Sequence, residues 1–170
     1  MKILIYGLKG WIGQQFEKLL IKNNLTFIEG KTRVDDVNQL EDEINRYNPT
    51  HIISFIGRTH GHIKDKYFST IDYLEQPGKL VNNINDNLFA PITLAIICKN
   101  LNIHFTYLGT GCIFKFDNDH PFGKEINGFT EDDLPNFFGS SYSTVKGYTD
   151  RLMSLFDKTT LNLRIRMPIT

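Results

Sequence analysis

Three glycines behind a short apolar run constrain the fold of this chain more than any other feature. The run Ile3–Tyr6 has the composition of a buried parallel strand. Gly7, Gly10 and Gly13 follow it, and an apolar pattern of helical spacing begins at Trp11. Because glycine has no side chain, such a turn can be tight and its backbone can approach another group closely. The pattern predicts a strand–turn–helix unit that binds a pyrophosphate at the helix N-terminus; a glycine-rich turn without a ligand is the alternative.

Apolar runs and helical patterns alternate along the rest of the chain. The expected strands are 25–28, 51–56, 104–108 and 161–167, and the expected helices are 11–21, 37–47, 80–101 and 141–156. This alternation predicts an α/β fold, a Rossmann-like doubly wound parallel sheet with helices on both faces, in one domain over residues 1–170. The region 115–139 is rich in Asp, Asn, Gly and Pro and is expected to be a long loop.

Charge and cysteine content exclude several classes of function. Nineteen basic and nineteen acidic residues cancel, and Lys and Arg form no run, so neither nucleic acid nor an anionic membrane is an expected partner. Cys98 and Cys112 offer no disulfide framework and no zinc-ligand spacing. His60 and His62 form a His-x-His pair, but no cluster of Asp, Glu or Cys accompanies it, so we expect no metal. The apolar N-terminal run is too short for a signal peptide or a membrane span, which favours a cytoplasmic protein.

A tyrosine and a lysine lie four residues apart in the last expected helix. Tyr142 and Lys146 would share one face of that helix. A cation about 4 Å from a phenol, at an effective dielectric of about 20, favours the phenolate by roughly 4 kcal/mol, or about 3 pK units before desolvation offsets it. The spacing therefore predicts that Lys146 lowers the pKa of Tyr142 enough for the tyrosine to act as an acid and a base. An exposed helical pair without a function is the alternative.

The residues behind the second expected strand bear on the choice of cofactor. An acidic residue there hydrogen-bonds the ribose of NAD, whereas a basic residue accepts the extra phosphate of NADP. The chain has Glu29 at the strand end, followed by Lys31 and Arg33. We therefore expect NADP(H), with Arg33 as the principal phosphate ligand and Lys31 beside it, while Glu29 leaves NAD as the alternative.

Several longer motifs resemble those of the extended short-chain dehydrogenase/reductase family. They are Leu4-Ile-Tyr-Gly-Leu-Lys-Gly-Trp-Ile-Gly13, Thr110-Gly-Cys-Ile-Phe114, Phe129-Thr-Glu-Asp-Asp, Pro135-Asn-Phe, Tyr142-Ser-Thr-Val-Lys146 and Leu163-Arg-Ile-Arg-Met-Pro-Ile169. They span nearly the whole chain and are most similar to the dTDP-4-dehydrorhamnose reductase branch, in particular to the bifunctional epimerase/reductases of UDP-rhamnose synthesis. The resemblance implies a catalytic triad of Thr110, Tyr142 and Lys146, in which the tyrosine protonates the oxygen at C4 of a keto sugar.

The resemblance also implies roles for residues around the triad. Cys112 stands where simple rhamnose reductases tend to have tyrosine, which makes it a candidate acid/base for epimerisation at C3 and C5. A buried cysteine without a role is the alternative. The implied cofactor contacts are Gly7, Gly10, Trp11, Ile12, Gly13, Lys31, Arg33, Ile56, Gly57, Asn87, Lys146 and Pro168. The implied substrate contacts are Thr59 and Asn136.

The function implied by the resemblance is an NADPH-dependent nucleotide-sugar epimerase/reductase that converts UDP-4-keto-6-deoxy-glucose to UDP-rhamnose. The alternatives are a reductase alone, acting on dTDP-4-dehydrorhamnose, and a non-catalytic NADP-binding regulatory subunit. The family also has a smaller C-terminal lobe that grips the nucleotide sugar. No part of the chain resembles this lobe, so we expect residues 1–170 to be the N-terminal portion of a longer protein. A homodimer through the helices at 80–101 and 141–156 is the family expectation.

Overall fold

A five-stranded parallel sheet forms the centre of the computed structural model, which describes residues 1–123 and 127–166. Its strands are β1 (Ile3–Tyr6), β2 (Phe27–Glu29), β3 (His51–Ser54), β6 (His104–Thr110) and β7 (Thr160–Ile165), in the order β2-β1-β3-β6-β7. A separate antiparallel hairpin consists of β4 (Gly61–Ile63) and β5 (Lys66–Phe68). The helices are α1 (Trp11–Lys22), α2 (Val37–Tyr47), α3 (Leu80–Ile84), α4 (Ala90–Leu101) and α5 (Ser141–Met153).

In the described part of the chain, no helix combines the length and the hydropathy that crossing a membrane requires.

Helices cover both faces of the sheet. Successive side chains of a strand point to opposite faces, so Leu4 and Tyr6 of β1 face one layer while Ile3 and Ile5 face the other. The first layer packs α2, α4 and part of α5 on the sheet, and its buried residues include Leu40, Ile44, Ile52, Leu94, Cys98, Phe105, Tyr107 and Met153. The second layer packs α1 on the sheet through Phe16 and Leu20, and Leu8 of the preceding turn joins the same cluster. The predicted fold class, a Rossmann-like doubly wound parallel sheet, is confirmed.

The long helix expected at 80–101 contains one wide turn. Residues Asn85–Phe89, between α3 and α4, have π-helical hydrogen bonding, and Pro91 follows in the first turn of α4. Proline has no N–H group to donate to the preceding turn, so a wider turn is tolerated ahead of it. The hydroxyl of Thr149, in α5, donates to the main-chain carbonyl of Asn87 at 2.7 Å. This bond satisfies an acceptor of the wide turn and ties it to α5.

Several strand boundaries differ from those expected. β2 covers 27–29 instead of 25–28, because its pairing with β1 begins at Phe27 and extends to Glu29. β3 ends at Ser54, two residues early, since the chain then turns towards the backbone of Gly7. β6 continues to Thr110, and β7 covers 160–165; the expected strand end at 167 lies outside the described residues. The hairpin β4–β5 was not predicted, because its two strands have three residues each and little apolar alternation.

The loop expected at 115–139 is irregular in its described part and is tied to the sheet. Arg164 of β7 donates from its guanidinium to the main-chain carbonyls of Thr130 and Glu131, at 3.1 and 3.0 Å. The same guanidinium pairs with the carboxylate of Asp150, in α5, at 2.8 Å. One arginine therefore connects the loop, β7 and α5 beside the carboxyl end of β6.

Candidate active site

A cleft opens at the carboxyl ends of β1 and β3, where the strand order of the sheet reverses. In a doubly wound sheet this is the position at which ligands bind. The cleft has a volume of about 890 Å³, and its lining includes Gly7, Gly10, Gly30, Ile56 and Gly57. The glycine motif behind β1 and the residues behind β3 therefore line one and the same cleft.

Gly7 and Gly13 have different reasons to be glycine. Gly7 has a left-handed φ of +83°, and a Cβ there would lie 2.9 Å from the carbonyl carbon of Phe55. A Cβ on Gly13 would lie 2.5 Å from the carbonyl oxygen of Gly7, so the close packing of α1 on the turn requires glycine. Trp11 and Ile12 lie in the first turn of α1, where helical N–H groups have no partner within the helix. These N–H groups follow directly after Gly10, which lines the cleft, and free backbone donors at a helix N-terminus are what a pyrophosphate site requires.

A buried glutamate organises the loop behind β2. Glu43 of α2 accepts hydrogen bonds from the N–H groups of Lys31 and Thr32, at 3.0 and 3.3 Å. It also accepts one from the hydroxyl of Tyr6, at 2.9 Å. These three donors offset the cost of burying a carboxylate. No motif in the sequence identifies Glu43; its place beside Ile44, in the apolar stripe of α2, is the only signal.

The basic residues predicted to bind a phosphate lie on the rim of the cleft. Lys31 and Arg33 are exposed and belong to its lining. The guanidinium of Arg33 pairs with Asp35 at 2.8 Å, and its side chain is 74% exposed. Such a pair contributes little in water, so another anion can replace Asp35 at low cost. Glu29, at the end of β2, lines the same cleft and is the one acidic group of the predicted cofactor signature.

Tyr142 lies buried in the first turn of α5, against the carboxyl end of β6. It lies beside Thr110, the last residue of β6, whose hydroxyl accepts a hydrogen bond of 3.1 Å from the N–H of Cys112. Its ring packs in a small apolar cluster with Tyr73 and Leu74, and Cys112 lies against this cluster. Burial raises the pKa of Tyr142 to about 12, although the neighbouring side chain of Thr110 opposes the rise. Three of the predicted catalytic side chains, those of Tyr142, Thr110 and Cys112, thus meet at one place.

Lys146 does not act on Tyr142 as the helical spacing predicts. Its ammonium donates a hydrogen bond of 2.6 Å to the hydroxyl of Tyr107, in the middle of β6. Burial lowers the pKa of Lys146 to about 8. The predicted lowering of the pKa of Tyr142 is therefore wrong for this structure, because burial dominates and the ammonium turns to another phenol. Two residues that share a helix face need not touch, since a long side chain can reach a neighbouring strand instead.

Asn87 presents an unpartnered oxygen to the same region. Its Nδ2 donates to the main-chain carbonyl of Arg58 at 3.0 Å and to Oδ1 of Asn83 at 2.9 Å, which fixes the orientation of the amide. Its Oδ1 is buried and has no hydrogen-bond donor among the described residues. A Cβ on Gly57 would lie 3.3 Å from this oxygen and 4.0 Å from Nζ of Lys146. The bare backbone of Gly57 leaves room for a group that bonds both, and a ribose hydroxyl fits this combination of acceptor and donor.

The two predicted substrate contacts lie outside the cluster around Tyr142. Thr59 hydrogen-bonds the ring of His60 at 3.1 Å, in the segment before β4. The side chain of Asn136 accepts from the N–H of Lys115 at 2.9 Å and donates to its carbonyl at 3.0 Å, so its polar atoms hold the loop together. Pro168, the last predicted cofactor contact, lies outside the described residues.

The histidines of the His-x-His pair pack against an aromatic ring. His60 and His62 lie with ring centroids 6.1 and 4.8 Å from that of Tyr67, in β5. Over residues 1–123 and 127–166, no three His, Cys, Asp or Glu side chains come together as metal ligands. The hairpin β4–β5 is thus organised by aromatic packing.

A carboxylate from a distant segment holds the N-terminus of α5. Glu75 accepts hydrogen bonds from the N–H groups of Ser141 and Tyr142, at 2.9 and 3.0 Å. The hydroxyl of Ser140 accepts from the N–H of Ser143 at 3.0 Å, so three of the first N–H groups have partners. A negative charge at a helix N-terminus is also electrostatically favourable. The sequence contains no signal for this contact, because 66 residues separate Glu75 from Ser141.

Comparison with known proteins identifies close relatives, although no family model matches the chain. The chain is 56% identical to protein L780 of Acanthamoeba polyphaga mimivirus over all 170 of its residues, which span 57% of that protein. The crystal structure of L780, a UDP-rhamnose synthase, matches 99% of this chain and 57% of its own with a TM-score of 0.89.

A plant enzyme and a bacterial reductase match over the same region. The trifunctional UDP-glucose 4,6-dehydratase/UDP-4-keto-6-deoxy-D-glucose 3,5-epimerase/UDP-4-keto-L-rhamnose-reductase of Arabidopsis thaliana is 37% identical over all 170 residues, which span 24% of it. A dTDP-4-dehydrorhamnose reductase from Bacillus anthracis, solved with NADP, shares the fold at 15% identity, with a TM-score of 0.74 over 97% of this chain and 53% of its own. The chain therefore spans little more than half of its relatives at most. Along its whole length the chain is homologous to the mimivirus UDP-rhamnose synthase and to the plant enzyme.

Proposed function

We propose that this chain is the cofactor-binding and catalytic part of an NADPH-dependent nucleotide-sugar 3,5-epimerase/4-reductase that converts UDP-4-keto-6-deoxy-glucose to UDP-rhamnose. The observation that carries the proposal is the grouping of Tyr142, Thr110 and Cys112 at the carboxyl end of β6. The 56% identity to the mimivirus UDP-rhamnose synthase supports the same reaction.

The cleft at β1 and β3 is the proposed site of NADP(H). The glycine turn and the first turn of α1 would hold the pyrophosphate, and Lys31 and Arg33 the extra phosphate. Lys146 and the free Oδ1 of Asn87 are a matching donor and acceptor for a ribose. The bound cofactor supplies the hydride that reduces the keto group. NAD is the alternative, because Glu29 lines the same cleft.

Tyr142 is the proposed proton donor in the reduction. Its hydroxyl is protonated at neutral pH, because burial raises its pKa to about 12. It can therefore give a proton to the C4 oxygen of the sugar as negative charge develops there. Thr110 lies beside Tyr142 and would hydrogen-bond the same oxygen.

Cys112 is the proposed acid/base in the epimerisation. In a 4-keto sugar, C3 and C5 flank the ketone, so their protons are the acidic ones and the enolate oxygen can be held by Tyr142 and Thr110. The thiol of Cys112 is free and partly buried, and it packs against the cluster that contains Tyr142. From this position the thiol would transfer protons at C3 or C5 on one face of the sugar.

An assay with the whole protein tests the proposal. Given UDP-4-keto-6-deoxy-glucose, it should oxidise NADPH and form UDP-rhamnose. Cys112→Ala should abolish exchange of the C3 or C5 proton with solvent deuterium and still reduce the epimerised 4-keto sugar. If the protein reduces dTDP-4-dehydrorhamnose but not the UDP sugar, the reductase alternative is supported. If it binds NADPH and turns over neither sugar, a regulatory subunit is supported.

A further lobe that grips the nucleotide sugar belongs to the same proposal. Leu161 and Leu163 of β7 are 47% and 42% exposed, and they are neighbours of Thr106 and Leu108 in β6. They lie on the face of the sheet that α1 covers only near β1 and β3. Apolar side chains left open on a sheet face suit the packing of another segment. The relatives have the length for one, since the chain spans 57% of the mimivirus protein.

A homodimer in the cytoplasm completes the proposal. α3 packs against α5, and both helices carry exposed apolar side chains, namely Leu80, Val81, Tyr148 and Leu152. Apolar residues on two adjacent helices suit an interface between two copies. The two free cysteines, Cys98 and Cys112, agree with a reducing compartment.

A further inference from the structure

Tyr107 is a buried side chain to which the proposed reaction assigns no role. It lies in the middle of β6, is 1% exposed, and belongs to the main core cluster. Its hydroxyl accepts the 2.6 Å hydrogen bond from the ammonium of Lys146, which is itself 4% exposed. Nζ of Lys146 also lies 4.7 Å from the centre of the Tyr107 ring. The lysine is thus held by the phenol through both a hydrogen bond and the face of the ring.

The hydrogen bond to Tyr107 decides where the ammonium of Lys146 lies, because the neighbouring carboxylate is already occupied. A buried ammonium is usually paired with a carboxylate. Asp150, one helical turn further along α5, is already engaged by the guanidinium of Arg164, at 2.8 and 2.9 Å, and by Asn162, at 2.9 Å. Within the described residues, Tyr107 is the one hydrogen-bond partner of Lys146. Burial raises the pKa of Tyr107 well above its ordinary value, so a neutral phenol holds the cation.

β6 thereby supplies one hydroxyl to each of two functional side chains of α5. Thr110 lies beside Tyr142, and the hydroxyl of Tyr107 accepts the hydrogen bond from Lys146. An ammonium has three N–H donors, so the bond to Tyr107 leaves two for other partners. The cleft residue Gly57 lies close by, since a Cβ there would be 4.0 Å from Nζ. The cation is anchored to the sheet beside Gly57, a residue that lines the cleft.

We propose that Tyr107 is a positioning residue of this oxidoreductase, whose hydroxyl holds the ammonium of Lys146 beside Gly57 and Asn87. The inference rests on the proposed function. Without this hydroxyl, the four-carbon side chain of Lys146 loses its anchor and the charged form loses a hydrogen bond that favours it. Tyr107 acts on the reaction only through Lys146.

Tyr107→Phe tests the anchor directly, because it removes the hydroxyl and keeps the ring. In the whole protein labelled with an NMR isotope at the lysine Cε, the titration of Lys146 is identified by its absence from Lys146→Met. We expect the pKa of Lys146 to fall by about one unit in Tyr107→Phe, since one hydrogen bond to an ammonium is worth roughly a factor of ten. Tyr47→Phe, a matched change on α2, should leave the titration where it is. An unchanged titration in Tyr107→Phe overturns the proposal.

Kinetics separate this inference from the proposed function. We expect Tyr107→Phe to lower kcat for NADPH oxidation about tenfold at pH 7, with KM for the nucleotide sugar unchanged. The fall in rate at alkaline pH should begin about one pH unit lower, as Lys146 loses its proton earlier. If the protein has no turnover but the Lys146 titration responds, the proposed reaction fails and the anchor stands. If turnover occurs with the same pH profile in both proteins, the role of Tyr107 fails.

A second measurement does not need Tyr107→Phe and keeps the proposal testable if that variant folds poorly. With an isotope at the tyrosine Cζ and a Tyr142→Phe background, the neighbouring catalytic phenol contributes no signal. One tyrosine signal should then shift as Lys146 titrates near pH 8, and this shift should vanish in Lys146→Met. Tyrosine signals that all stay flat through this pH range contradict the proposal.

Discussion

Burial of the Lys146 ammonium makes the stability of this protein depend on pH. In the folded chain the pKa of Lys146 is about 8, against 10.5 for an ordinary lysine. Between these values the unfolded chain binds more protons than the folded chain, so the free energy of unfolding rises with pH across this window and is lowest below pH 8, where both states are protonated. The shift of about 2.5 units corresponds to about 3 kcal/mol.

Lys146→Met should remove this dependence. We expect the free energy of unfolding of the variant, relative to wild type, to decrease by up to about 3 kcal/mol between pH 7 and pH 10.5, because only the wild type gains stability as its lysine loses the proton. Urea unfolding at a series of pH values measures this difference. Lys18→Met, at an exposed position of α1, is the control and should run parallel to wild type. Parallel curves for Lys146→Met would contradict the burial of a charged lysine.

Arg33 should decide the preference for NADPH over NADH. The residue is exposed on the rim of the cleft, and its partner Asp35 can be exchanged for a phosphate at little cost. We expect Arg33→Ala to raise the Kd for NADPH about tenfold and to leave the Kd for NADH unchanged, since only NADPH carries the extra phosphate. Quenching of Trp11 fluorescence or calorimetry can measure both constants. Equal losses for the two dinucleotides, or no loss for either, would remove Arg33 from the phosphate site.

At the scale of elements, α5 depends on a contact at its N-terminus. Glu75 satisfies the N–H groups of Ser141 and Tyr142, and the orientation of the first turn fixes where the Tyr142 side chain points. We expect Glu75→Gln to lower the free energy of unfolding by about 1 kcal/mol, because the amide has one acceptor oxygen and no charge to place at the helix end. Glu41→Gln, at an exposed position of α2, is the matched control. A variant as stable as that control would show that the carboxylate contributes nothing.

Element boundaries were predictable where an apolar pattern meets a residue that stops it. α2 was expected over 37–47, from its apolar stripe and from Pro49 behind it, and it has these bounds. The wide turn Asn85–Phe89 was not expected, because it is completed by a hydrogen bond from Thr149 on another helix. Local sequence therefore predicts an element as long as no distant partner reshapes it.

Site residues were predicted where their spacing in the sequence carries the signal, and missed where only the fold brings them together. Glycines and the Tyr142/Lys146 pair are visible in the sequence, because their spacing alone carries the signal. Glu75 and Tyr107 act on residues 67 and 39 positions away, so only the folded chain brings them into the site. The pKa of Tyr142 was mispredicted for the same reason, since it depends on burial and on which phenol the lysine reaches.

At the scale of the whole molecule, the site is held by every segment that surrounds α5. β6 contributes Thr110 and Tyr107, the segment before α3 contributes Glu75, and the wide turn is joined through Thr149. Arg164 adds β7 and the long loop through its pair with Asp150. A change in the packing around α5 would therefore affect Tyr142 and Lys146 together.

Association into a homodimer is a prediction about the molecule as a whole. α3 and α5 pack against each other and leave Val81 and Tyr148 66% and 59% exposed. We expect Val81→Glu to weaken dimerisation at least about 100-fold, since a carboxylate buried in an apolar interface without a partner costs several kcal/mol. Sedimentation over a range of protein concentrations measures this change. Leu19→Glu, at a 53% exposed position of α1 on the opposite face of the sheet, should leave the dimer intact. A monomeric wild type, or a Val81→Glu dimer as tight as wild type, would exclude this interface.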